Sequence, residues 1–133
     1  MRGGCDLAAI AILNGVLGTG SHPDQGFVGR LGRIFVVAVN CTEPGGLCFF
    51  CASMGTGPQV GPGYDLALTE CVDSSGRHYL VDVGSDEGAQ VLAALPPQRD
   101  AGPPDEIASA RTQVTDAAQH MVGRCRPQTY GNC

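Results

Sequence analysis

Three of the chain's seven cysteines, Cys41, Cys48 and Cys51, fall within eleven residues, inside a stretch whose glycines and prolines predict no regular element. From Thr42 to Gly63 the chain carries six glycines and three prolines, and that density of breakers leaves only a long loop of fixed turns. Leu47, Phe49, Phe50 and Met54 give the loop apolar side chains to pack, so it reads as structure and not as linker. The run before it, Ile34 to Val39, is continuous, apolar and rich in β-branched residues, which predicts a buried strand over 34–40 ending at Asn40-Cys41. The other cysteines are Cys5, Cys71, Cys125 and Cys133. An odd total fits a closed disulfide framework poorly. Clustered thiols without a recognisable export signal point to a reducing, cytoplasmic setting in which they stay available to metal.

The elements around the loop predict an α/β fold: a small mixed sheet with flanking helices and a long Gly-rich cysteine loop. Leu7, Ile10, Ala11, Asn14 and Leu17 recur at helical spacing, with Asp6 as candidate N-cap, which predicts a helix over 6–17. Asp6 and Asn14 interrupt this apolar stretch as an export leader would not tolerate, and it falls short of the about 20 residues a membrane span needs. Gly18 to Pro23 ends the helix, and a loop is expected to Gly32. Residues 66–72 and 78–83 flank Asp73-Ser74-Ser75-Gly76-Arg77 and predict a β-hairpin with a five-residue turn. Ser85 is expected to cap a helix over 86–95, with Asp86 and Glu87 in the first turn where the helix dipole favours negative charge. Pro96-Pro97 closes the region, giving a cysteine-loop α/β domain over 1–97. A polar linker, a helix over 105–122 and an irregular tail then occupy 98–133. The last helix has a narrow stripe, Ile107, Ala110, Val114, Ala117, Ala118 and Met121, and needs a larger body to dock on.

Chemistry is concentrated in the C-x6-C-x2-C run Cys41–Cys51. A four-iron, four-sulfur cube needs four converging thiolates, and glycines such as Gly45 and Gly46 let backbone N–H groups approach its sulfurs. Leu47, Phe49, Phe50 and Met54 would form the dry wall that tunes such a cluster. The loop supplies three ligands, and Cys5 is the first candidate for the fourth. It stands just before a helix N-terminus, where the dipole favours the negative charge of a thiolate-bound cluster. Cys71 is the runner-up, although a lone cysteine in a strand is more often a small buried hydrophobe. The same thiols, with His78 in reserve, also suit a tetrahedral zinc site, so spacing leaves the metal open. A redox dithiol at Cys48 and Cys51 and inert packed cysteines are the remaining readings.

Other function classes find little support. With 8 Lys+Arg against 13 Asp+Glu the net charge is −5, which offers no footprint for nucleic acid. Met54-Gly55-Thr56-Gly57-Pro58 lacks the strand-to-helix context of a nucleotide-binding fingerprint. His22, His78 and His120 stand in no motif that combines a nucleophile with a carboxylate, so they read as surface or packing residues and not as part of a hydrolytic triad.

Four ordered motifs narrow the choice: Gly4-Cys5-Asp6-Leu7-Ala8-Ala9, Val36-Val37-Ala38-Val39-Asn40-Cys41 with its Gly-rich continuation, Cys51-Ala52-Ser53-Met54-Gly55-Thr56-Gly57-Pro58, and Gly63-Tyr64-Asp65-Leu66-Ala67-Leu68-Thr69-Glu70. Together, over residues 3–95, they resemble the 4Fe-4S dicluster-domain proteins related to the β subunit of sulfhydrogenase and to the corresponding iron–sulfur subunit of anaerobic sulfite reductase. The resemblance implies an N-terminal-domain fragment of a longer chain, in which a ferredoxin-like domain with two further 4Fe-4S clusters follows. It also implies Cys5, Cys41, Cys48 and Cys51 as ligands of one 4Fe-4S cluster. The implied role is a non-catalytic relay of single electrons from a flavin-containing partner to one of hydrogenase or sulfite-reductase type, or in the reverse direction. The alternative is a zinc-stapled or metal-free interaction domain.

Overall fold

The computed structural model describes residues 2–44, 50–74, 76–96 and 103–122, with the side chains of Arg2, Phe50 and Val122 left aside. Among the described residues nine elements follow one another: β1 (Arg2–Gly3), α1 (Gly4–Leu17), α2 (Gln25–Leu31), β2 (Val37–Val39), α3 (Phe50–Ser53), β3 (Leu66–Asp73), β4 (Gly76–Val83), α4 (Asp86–Ala94) and α5 (Pro104–Val122). The four strands form one mixed sheet in the order β1-β2-β3-β4, parallel as far as β3 and antiparallel from β3 to β4. This is the expected α/β class, a small mixed sheet flanked by helices.

Ala38 and Ala67 are register partners on adjacent parallel strands and are almost wholly buried. Such small side chains let a helix lie close to the sheet, and Leu7 of α1 fills the space above them, joined by Val36, Val60 and Tyr64. Alternation along β3 puts Thr69 and Cys71 on the same face as Ala67. Helix α5 buries Ala110, Val114, Ala117 and Met121, four members of the expected stripe, and packs mainly against α3 with a smaller contact on β3. Helix α4 lies over the start of β3, where the Gly88 backbone meets Asp65 and Leu66. Asp65 ties three segments together. Its Oδ2 accepts the Val36 N–H at 2.6 Å, its Oδ1 accepts the Ser85 hydroxyl at 2.6 Å, and its carbonyl accepts the Gly84 N–H at 2.9 Å.

Several boundaries differ from the sequence expectation. Strand β2 covers only Val37–Val39 and not 34–40, because the Val36 N–H is taken by the Asp65 carboxylate and Ile34 and Phe35 face solvent. Helix α1 begins at Gly4 with Gly3 as N-cap, so Asp6 is the third helical residue and not the cap; its Oδ2 accepts the Gly3 N–H at 3.2 Å. The expected loop before Gly32 contains α2, started by Asp24, whose Oδ1 accepts the Gly26 and Phe27 N–H groups at 2.8 and 3.0 Å. Gly26 and Gly29 hid that helix, since glycine weakens helical patterning. The hairpin turn is tighter than five residues: Gly76 and Arg77 already belong to β4, paired with Asp73 and Val72.

The apolar content of α1 exceeds what the sheet covers. Leu7 is buried, but Ile12, Leu13 and Val16 are 68, 48 and 68 % exposed. An apolar helix face of this kind is the usual mark of a surface that meets another protein. Among the described residues no helix is long and apolar enough to cross a membrane.

Candidate functional site

Among the described residues, Cys41, Cys51 and the helix start that carries Cys5 come together at one short segment, Thr56–Gln59. Helix α1 presses its first residue onto it: a Cβ on Gly4 would stand 2.7 Å from the Thr56 carbonyl oxygen and 3.4 Å from Gly57 Cα. Cys5 follows directly, in the first turn of the helix and not ahead of it, and is exposed. Cys41 donates its N–H to the Pro58 carbonyl at 3.1 Å. Cys51, on α3, accepts the Thr56 N–H on its carbonyl at 2.8 Å, and its Cβ lies 3.2 Å from where a Gly57 Cβ would be. A strand end and a short helix thus bring Cys41 and Cys51 against this segment, and Gly4, the residue before Cys5, abuts it from the helix start. Cys48 lies outside the described residues.

Glycine is what makes this approach possible. At Gly4 a side chain would run into the backbone of the segment, and at Gly57 it would crowd the Cys51 side chain. Asn40 fixes it from the other side. Its side chain is buried, its Oδ1 accepts the Val60 N–H at 2.8 Å and its Nδ2 donates to Thr69 Oγ1 at 2.8 Å, while its own N–H bonds Leu68 at 2.8 Å. A buried amide with its hydrogen bonds satisfied specifies one geometry. Its position between the strand and the first loop cysteine was the only sign of this role in the sequence.

Thiols with glycines beside them form a soft donor set that suits an iron–sulfur cluster or zinc. Ligands of one tetrahedral zinc at about 2.3 Å would have their sulfurs about 3.8 Å apart. Among the described residues, the Cys5, Cys41 and Cys51 sulfurs do not form a set lying mutually within 4.8 Å. A cubane holds its thiolates at separate corners and spreads them wider than a single ion does.

No family model, no curated protein and no solved structure matches this chain.

Cys71 sits elsewhere, buried on β3 opposite His78 in the β3–β4 ladder. Burial, joined by the negative charges of Glu106 and Asp73, pushes its thiol above the ordinary 9.0, against a smaller lowering by a hydrogen bond from the Leu80 backbone. The neutral thiol is therefore the form the fold accepts. Its contribution to stability is present below pH 9.0 and is lost as the pH rises through the higher folded-state value, because the unfolded chain ionises first. At pH 8, iodoacetamide is expected to alkylate Cys5 about tenfold faster or more than Cys71, since the thiolate is the nucleophile and Cys5 is exposed. Peptide mass spectrometry over a time course reads the ratio, and equal rates would contradict the burial of Cys71.

The histidines divide. His22 is exposed beside Ser21, 3.2 Å from its hydroxyl, and His120 is exposed in the last turn of α5. His78 departs from the expectation of a plain surface or packing residue. It stands between two carboxylates, Asp73 at 3.8 Å from Nδ1 and Glu106 at 2.5 Å from Nε2. Asp73 could be read from the turn; Glu106 could not, being 28 positions away across residues with no pattern.

Proposed function

We propose that this chain holds one 4Fe-4S cluster on Cys5, Cys41, Cys48 and Cys51 and passes single electrons within a cytoplasmic, multi-subunit oxidoreductase of the hydrogenase or sulfite-reductase type. The observation that carries the reading is that Cys41, Cys51 and Gly4, the neighbour of Cys5, all meet the segment Thr56–Gln59. The bound cluster would supply a one-electron carrier. The chain's own part is to present thiolates, to place Cys5 and the Asp6 carboxylate in the first turn of α1, and to surround the site with glycine backbone. The solvent-facing Ile12, Leu13 and Val16 support assembly with other subunits, the flavin-containing one among them.

That same apolar face favours a second reading, a zinc-stapled or metal-free domain that only mediates subunit contacts. Anaerobic reconstitution separates the two. The expected result is a brown protein, bleached by dithionite, with about four irons and four sulfides per chain. A colourless chain with one zinc, or with no metal, would replace the first reading with the second.

A further inference from the structure

The structure assigns a second metal site to this chain, away from the cysteine loop: we propose that Asp73, His78 and Glu106 bind one divalent transition-metal ion and thereby clamp α5 to the β3–β4 hairpin. One ligand atom from each of the three residues lies within 4.8 Å of the other two. They come from three places, the end of β3, the start of β4 and the first turn of α5. Asp73 is the exposed member, and His78 and Glu106 are half-buried. One imidazole and two carboxylates form a mixed nitrogen and oxygen set suited to zinc, manganese, iron or cobalt, with coordination positions left for water.

A second observation separates this group from an ordinary surface ion pair. His78 Nε2 has lost its contact with solvent, yet among the described residues it makes no hydrogen bond of acceptable geometry, although Glu106 Oε1 is 2.5 Å away. A buried ring nitrogen left without a directed partner costs free energy, and a metal ion satisfies it. A nitrogen and an oxygen bound to the same zinc lie about 3.3 Å apart, so Glu106 needs to withdraw by under about 1 Å. His78 and Glu106 also form part of the wall of an open cleft of about 1400 Å³ between β4 and α5, lined further by Leu80, Ala110 and Val114. The water positions of the ion would face that space.

This site is independent of the cluster reading, and cobalt distinguishes them by colour. Cobalt bound to thiolates shows intense sulfur-to-metal charge transfer, whereas nitrogen and oxygen ligands give only weak visible bands. Titrating the full chain with Co²⁺ is expected to give one equivalent of the weak type, displaced by Zn²⁺, with a rise of several degrees in Tm. His78→Gln and Glu106→Gln should each weaken that binding at least tenfold, and Cys41→Ser should leave it unchanged. Absence of the weak bands in the wild-type chain would overturn the proposal even if a variant failed to fold. So would weak bands that persist undiminished in both variants, which would mark adventitious surface binding.

Discussion

Cys41→Ala and Cys5→Ala are each expected to leave the anaerobically reconstituted chain nearly colourless, with iron falling from about four atoms per chain to less than about one. Cys71→Ala and Cys125→Ala are expected to retain the full amount. Cys41 is tied through its backbone to Pro58, and Cys5 rides on the helix turn that abuts Thr56 and Gly57, so both belong to the frame of the site. Cys71 is enclosed between strand and helix, where burial and two carboxylates oppose the thiolate that a cluster requires. Iron and sulfide analysis with visible spectra reads the outcome. Full iron in Cys5→Ala, with loss in Cys71→Ala, would exchange the fourth ligand; full iron in Cys41→Ala would remove the site altogether.

Gly88→Ala is expected to destabilise the chain by about 3 kcal/mol, the upper part of the range for overpacking, and to lower Tm by roughly 10 °C. A Cβ at this position would overlap the Asp65 carbonyl oxygen and stand 2.8 Å from its carbon and 3.3 Å from Leu66 Cδ2. Backbone cannot yield as a side chain would. The Gly88 N–H also donates to Ser85 Oγ at 2.9 Å, and that hydroxyl in turn donates to Asp65, so displacing α4 breaks the cap as well. Gly15→Ala is the contrasting change. It lies on α1 with nothing within 4 Å of its added Cβ, and should raise stability by about 0.5–1 kcal/mol through helix propensity alone. Urea denaturation of the two variants beside the wild type measures both, and a Gly88→Ala chain as stable as the wild type would mean that α4 does not dock on β3 in this way.

Much of the architecture was legible from local pattern. The stripe of α5, the Ser85 cap of α4 and the β-branched character of β2 each follow from side-chain spacing that only one element satisfies. What escaped depended on distant partners. β2 is shorter than its apolar run because a carboxylate 29 positions away takes the Val36 N–H. Helix α2 was hidden by its glycines, and its start depends on the Asp24 side chain bonding forward to two backbone groups. The stripe expected on α1 is only partly buried, with Leu7 inside and Ala11 and Leu17 exposed, because the small sheet is not wide enough to cover the helix.

The sequence by itself determined most of the element types, the acidic balance and the presence of three clustered thiols in a glycine-rich stretch, because these are properties of neighbouring residues; it did not show that the stretch, expected to be loop throughout, contains α3, which carries Cys51. Only the tertiary structure decided that the helix turn carrying Cys5, 46 positions before Cys51, abuts the segment that Cys41 and Cys51 also meet, and that Glu106 meets His78. The first depends on the bare backbone at Gly4, which lets α1 approach that segment, and the second on how α5 packs against α3 and β3. That is a matter of packing across the fold, and no local spacing encodes it.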